Sequence, residues 1–197
     1  MDMVQNPEIA HAIFSHIRDF YLEYERRILE AADGELDVLL TGDDFGSQYG
    51  PLISPAMWEE FLGEGFRQYI ALAHSYGVKV MHHTCGSVRP LIPLMLERGL
   101  DVLQSLQPEA SDMDPRALKA EFGDRLSFQG GISVQRTLPF GTPEEVEREV
   151  RDRIEALAPG GGYILGTAHN IQADVPLDNL KALLEAYRKY GKYSKRG

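Results

Sequence analysis

The chain of 197 residues has a single cysteine, Cys85, which rules out an internal disulfide framework and, in a reducing compartment, leaves a free thiol for a metal or a reaction. Long apolar runs are also missing. None approaches the ~18 residues that suggest a membrane span, and the opening residues, with Asp2 and Glu8 among them, lack the apolar segment of a secretory leader. The expected setting is the cytoplasm, away from any membrane. Basic charge is scarce: 20 Lys and Arg face 30 Asp and Glu, a formal net charge of -10. Nucleic-acid binding needs clustered cations, and the basic ending Lys189, Lys192, Lys195, Arg196 is short, so no nucleic-acid partner is expected. There is no linker, no low-complexity tract and no exact repeat. No G-x-G-x-x-G fingerprint follows the first expected strand, so a dinucleotide has no obvious cradle.

What is present is a globular composition, 43% apolar and 25% charged, suited to one soluble domain or part of a larger one. From Ile9 to Leu29 the residues Ile13, Phe14, Ile17, Phe20, Tyr21, Tyr24 and Ile28 recur at three and four, which predicts an amphipathic helix. Leu36 to Leu40 then reads as a strand. A turn-rich loop, TGDDFGSQYGPLISP, leads to Ser54-Pro55, a cap and first-turn proline for a helix reaching about His74. The unit repeats with strands at Val78–His82, Leu100–Leu103, Leu126–Gln129 and Tyr163–Leu165. Helices follow near Leu91–Arg98, Pro115–Glu121, Thr142–Leu157 and from Pro176, and Thr142-Pro143-Glu144-Glu145 spells a capping box.

Strands alternating with helices imply a parallel sheet with right-handed crossovers, either an open doubly wound sheet or part of a βα barrel. The polar, glycine-containing segments DDFG, HHTCGS, QPEAS, QGGIS and GTAHN all follow strand ends. Chemistry gathered there is the arrangement of barrel enzymes, although open sheets use the same edge. A closed eight-stranded barrel takes ~250 residues, so the expected fold is α/β, a partial TIM (βα) barrel of about five parallel strands after an amino-terminal helix.

If the strand from Val78 runs on through Cys85, alternation puts His83 and Cys85 on one face and Thr84 on the other, so imidazole and thiolate can converge on one ion. Zinc takes such ligands and, in catalytic sites, keeps three protein ligands and an open position. By position the best third ligand is His169 in GTAHN, with Asp44 another candidate. The plainer reading of an H-x-C pair is a buried thiol beside a structural histidine. His82 reads as a core or supporting histidine, His11, His16 and His74 as surface or packing residues, and Trp58 as core. Asp43 and Asp44 serve catalysis or only loop solvation and capping. Gln48 and Tyr49 could line a pocket. Gly130-Gly131 either admits a ligand close to the backbone or makes a tight turn, and Gly160-Gly161-Gly162 is a turn.

The segments GDDFGSQYGPLISPAMWEEF, HHTCGSVRPLIPLMLERGLDVLQSLQP, LSFQGGISVQRTLPFGTPEEVEREV and GGYILGTAHNIQADVPLDNL resemble, in order and spacing, the carboxyl-terminal part of the uroporphyrinogen decarboxylase superfamily, over about Leu36 to Tyr190. That superfamily contains a cofactor-free porphyrin-pathway decarboxylase and zinc-dependent methyltransferases working between corrinoid proteins and thiols such as coenzyme M. The H-x-C-G motif resembles the methyltransferases, where it supplies histidine and cysteine to zinc. A second cysteine there precedes a P-L-x-N helix start. Counting back from Pro176-Leu177-Asp178-Asn179 puts His169 at that place, so the resemblance implies His83, Cys85 and His169 as metal ligands, with one thiolate fewer than in those enzymes. Asp44 is implied as a catalytic or orienting carboxylate.

The resemblance thus implies zinc, a corrinoid methyl donor or corrinoid protein partner, and a small-molecule thiol or methylated substrate. The alternatives are uroporphyrinogen decarboxylation, with Asp44 as a polar contact, and a catalytically silent half-barrel that serves as a subunit or binding module. Residues 1–197 would be one such domain without its amino-terminal strands. Open parallel edges would then favour a homo-oligomer or a separate amino-terminal partner chain.

Overall fold

The computed structural model describes residues 1–192; Lys195 and Arg196 of the basic ending lie outside the described residues. Five parallel strands, β1 (Val38–Gly42), β2 (Lys79–His83), β3 (Val102–Leu106), β4 (Ser127–Ile132) and β5 (Tyr163–Thr167), form one sheet in sequential order. Before β1 come α1 (Asp2–Gln5) and α2 (Pro7–Ala32). Between β1 and β2 lie α3 (Pro55–Trp58), one π turn (Glu59–Gly63) and α4 (Glu64–Ser75). Then follow α5 (Ile92–Glu97), α6 (Pro115–Phe122), α7 (Thr137–Phe140), α8 (Pro143–Leu157) and α9 (Leu177–Tyr190). No helix among the described residues is long and apolar enough to cross a membrane.

Local chemistry starts these helices. Ser54 and Asp114 accept from Met57 N–H and Ala117 N–H, and each is followed by a first-turn proline. The Thr142 capping box closes in both directions, Thr142 Oγ1 accepting from Glu145 N–H and the Glu145 carboxylate from Thr142 N–H. The helix expected from Ser54-Pro55 to about His74 forms and runs to Ser75, widened over Glu59–Gly63 by the π turn without leaving helical backbone geometry. Alternation along the strands sends Val80, Leu103 and Phe128 into a core with Phe66, Ile70, Met95, Leu118 and Leu157 from the helices. The opposite sheet face is less covered: Leu40 is 58% and Ile164 45% exposed. It carries the row His83, Gln104, Gln129, paired in register across β2, β3 and β4.

One expectation changes and one open reading narrows. β1 begins two residues later than expected and ends at Gly42, because its pairing with β2 runs from Val38↔Lys79 to Gly42↔His83. Gly130 and Gly131 make no tight turn; they lie inside β4 at φ +112 and +93, where a Cβ on Gly130 would meet Leu106 N at 3.0 Å. The expected amphipathic helix forms as α2 and packs on α4; Ile13, Ile17, Phe20, Tyr21 and Tyr24 of its apolar stripe are about half exposed or more, Phe14 and Ile28 are partly buried, and Ala10, Glu25 and Leu29 are its buried residues.

Candidate metal centre

The site is built by two loops that leave neighbouring strands and interlock. β2 stops at His83, so Cys85 is a loop residue and strand alternation does not place it as expected. Backbone contacts place it instead. Cys85 N–H donates to Asp44 Oδ1 at 2.8 Å, Phe45 N–H to Thr84 Oγ1 at 2.9 Å, and Ser87 N–H to Ser47 O at 2.7 Å. The loops lie so close that a Cβ on Gly46 would stand 2.6 Å from Cys85 O. One on Gly86, already at φ +79, would stand 2.5 Å from Ser47 O. That is the physical reason for glycine after the cysteine. Gly86 N–H is held in turn by Gln107 Oε1 at 2.9 Å.

The result brings the thiol to the imidazole. Cys85 Sγ lies 3.4 Å from His83 Nε2, and the His169 ring, on the loop after β5, meets the His83 ring edge-on at 5.5 Å between centroids. In a flat sheet β2 and β5 would stand ~14 Å apart, three strand spacings, so the carboxyl edge curls and its loops converge. The ligand atoms of His83, Cys85 and His169 all fall within 4.8 Å of one another. Asp44 stands outside this set, 3.9 Å from His83 Nε2, with its carboxylate engaged by the Cys85 amide.

Gln104, which sequence reading passed over, fixes the chemistry of His83. Its Oε1 lies 2.7 Å from His83 Nδ1 and can only accept, so Nδ1 carries the proton and the Nε2 lone pair faces Sγ and His169. Only strand register could reveal it, since His83 pairs with Gln104 across β2 and β3. Ser105 Oγ stands 3.9 Å from Sγ. Burial, aided by the Asp44 carboxylate, pushes the Cys85 thiol above its ordinary range, with the Ser105 hydroxyl opposing. Nearby, burial also raises Asp43, reinforced by Asp44.

The other singled-out residues separate cleanly. His82 is buried, stacked on Phe45 and bonded at 2.9 Å to Thr41, and burial drives it down to about 3, so it is a neutral core histidine. Trp58 is fully buried. His11 stacks on Phe61, and His74 pairs with Asp101 at 2.6 Å. Tyr49 is 90% exposed.

The His83–Cys85 pair of the donor set has the spacing zinc needs. Ligand bonds of ~2.05 Å to nitrogen and ~2.3 Å to sulfur at a tetrahedral angle separate the two atoms by ~3.6 Å, close to the observed Nε2–Sγ distance. Three candidate ligand side chains with an outer partner on His83 are the number that an open zinc site uses.

A curled parallel sheet with its reactive side chains at the carboxyl ends of the strands defines a TIM-barrel-like α/β protein. The chain belongs to the uroporphyrinogen decarboxylase (URO-D) family, whose family model matches residues 1–190. It is 30% identical over 185 residues to a methylated-thiol–coenzyme M methyltransferase of Methanosarcina mazei, covering 93% of this chain and 46% of that one. It is 28% identical to a methylcobamide:CoM methyltransferase of Methanosarcina barkeri, covering 86% and 45%. With a uroporphyrinogen decarboxylase of Pseudoalteromonas atlantica the identity is 30% over 192 residues, covering 94% and 49%. The chain therefore spans about half the length of these relatives. Among solved structures, a methyltransferase from Methanosarcina mazei superposes with a TM-score of 0.76 at 22% identity, covering 97% of this chain and 52% of that one, a likeness of fold.

Proposed function

We propose that His83, Cys85 and His169 hold a zinc ion and that the site takes a small-molecule thiol for methyl transfer with a corrinoid, bound to a partner protein or free. The observation that carries this reading is the three-ligand cluster, with the His83 tautomer set by Gln104. Zinc would supply an open position at which an incoming thiol is held as thiolate at neutral pH. The chain's own residues do the rest. Gln104 keeps the His83 Nε2 lone pair aimed at the cluster, and Asp44 anchors the Cys85 amide and thereby the direction of Sγ. Cys85 is a ligand in this scheme, not the nucleophile. The names of two relatives, which pair a methylated thiol or methylcobamide with coenzyme M, support this direction.

The test is metal content by plasma mass spectrometry on protein purified without a metal-affinity tag. Near-stoichiometric zinc, lost in both Cys85→Ser and His169→Ala, is expected. Protein that is metal-free and also refuses added zinc would refute the site. Porphyrinogen turnover without metal would then favour decarboxylation, and silence in both assays a half-barrel binding role.

A further inference from the structure

An irregularity in β3 aims two consecutive side chains at the candidate metal centre. Gln104 pairs with Gln129 and Leu106 with Gly130, so Ser105 is one residue more than β4 can match. Regular alternation would turn Ser105 to the core beside Leu103 and set Leu106 on the opposite face. Instead Leu103 and Leu106 both bury in the core, while Gln104 and Ser105 both reach the cluster. A β-bulge re-aims side chains in this way. Gln104 meets the His83 imidazole, and Ser105, 2% exposed, brings its hydroxyl to 3.9 Å from Cys85 Sγ, the long end of an O–H···S contact.

That hydroxyl has no other partner among the described residues. Backbone amides next to a cysteine are the nearest donors to its sulfur, and here they are engaged elsewhere. Cys85 N–H donates to Asp44 Oδ1, Gly86 N–H to Gln107 Oε1 and Ser87 N–H to Ser47 O. His83 Nε2, 3.4 Å from Sγ, brings no proton, since Gln104 holds the proton on Nδ1. A buried hydroxyl needs an acceptor, and a thiolate has lone pairs and no proton to give. Ser105 is therefore the donor and Sγ the acceptor whenever the sulfur is deprotonated.

We propose that Ser105 is a specificity-determining residue acting through Cys85: its hydroxyl occupies a lone pair of Sγ and lowers the nucleophilicity of that sulfur, so that a methyl group passes to an incoming thiol and not to the ligand. The inference rests on the metal reading above. Thiolate is the reactive form of cysteine, so a thiolate ligand competes with a thiolate substrate for the same methyl group, and hydrogen bonds from outside the ligand set tune the ligands. Methylation of Cys85 would form an S–C bond as the bond from carbon to its leaving group breaks. It would turn an anionic zinc ligand into a neutral thioether, and the Ser105 hydroxyl guards against that loss.

The probe is methyl iodide on the zinc-loaded full chain without a tag. With one cysteine in the sequence, a single added methyl group is assigned to Cys85 by peptide mass spectrometry, and zinc release is followed with a chromogenic chelator. Sulfur bonds to the methyl carbon as iodide leaves. Ser105→Ala should methylate at Cys85 about three- to tenfold faster than wild type, the scale of one hydrogen bond, and release zinc in step. Ser105→Thr keeps the hydroxyl and should stay near wild type. In the cobalt-loaded proteins the sulfur-to-cobalt charge-transfer band should move to longer wavelength in Ser105→Ala, a change that a merely structural serine does not produce. Circular dichroism and metal content verify that each variant folds and loads. A Ser105→Ala protein methylated at the wild-type rate with the band unmoved, or a Ser105→Thr protein as fast as Ser105→Ala, would overturn the proposal and leave the zinc centre standing. A wild-type chain that takes up neither metal would overturn the metal reading and the proposal with it.

Discussion

Glu25 should make the stability of this fold fall as pH rises through the range in which most proteins are steady. It sits on α2, 6% exposed, with Oε1 unpartnered among the described residues. Burial pushes its carboxyl up from 4.5 to about 7, with a backbone contact at Ala73 pulling the other way. The sign follows from where the proton is held. Below pH 4.5 the carboxyl is protonated in both folded and unfolded chains and contributes nothing. Between 4.5 and 7 the unfolded chain gives up the proton while the folded one keeps it, so stability falls with pH. Above 7 the full penalty remains. A shift of about 2.5 units at 1.36 kcal/mol each corresponds to a loss of about 3 kcal/mol. Glu25→Gln keeps the shape and cannot ionise. Urea unfolding of both proteins at a series of pH values, at one fixed protein concentration, isolates the effect as a difference. The variant should gain on wild type between pH 4.5 and 7 and level off above. A difference that is flat with pH, or a variant less stable than wild type at pH 8, would refute the reasoning.

Other residues give sharper readouts at the site and at a helix start. Gly86→Ala puts a side chain at φ +79 and against the Ser47 carbonyl, and should cost about 2 to 4 kcal/mol in chemical unfolding while weakening zinc retention. Gln104→Leu, which removes the acceptor on His83 Nδ1, should lower zinc affinity roughly 10- to 100-fold by competition with a chromogenic chelator, whereas Gln104→Glu should keep most of it. Equal affinity in the leucine variant and wild type would remove Gln104 from the site. Thr142→Ala opens one half of the capping box and should cost about 1 kcal/mol in thermal unfolding, with the metal content unchanged.

How much could be read from sequence depended on how far each feature reached along the chain. The capping box at Thr142 lies within four residues and forms as written. So does the glycine turn at Gly160–Gly162, with all three φ values positive. β1 shifts because an apolar run, Leu36 to Leu40, reports burial and not pairing. Leu36 packs against the core from the loop, and β2 decides which residues bond. The α2 stripe shows the same limit on a larger scale. Its period is helical, as expected, yet period alone cannot say whether an apolar face meets its own core or another surface.

The lone cysteine carries that lesson furthest. Two-residue spacing made His83 and Cys85 a pair, but by a route the structure does not use, since the strand ends before the thiol. What brings them together is the packing of one loop on its neighbour. Asp44 grips the Cys85 amide, and Gly46 and Gly86 let two backbones approach where any side chain would block them. His169 arrives from the far strand only because the sheet curls. A motif of four letters, H-x-C-G, therefore records three constraints of different range. The histidine answers to a glutamine one strand away, the cysteine to an aspartate one loop away, and the glycine to a serine carbonyl that a Cβ would strike. Exchanging Gly46 for alanine should accordingly disturb the centre as Gly86→Ala does, measured as zinc lost to the same chelator, although residue 46 bears no ligand. Its Cβ would stand 2.6 Å from Cys85 O, and relief of that contact must displace the loop that aims Sγ.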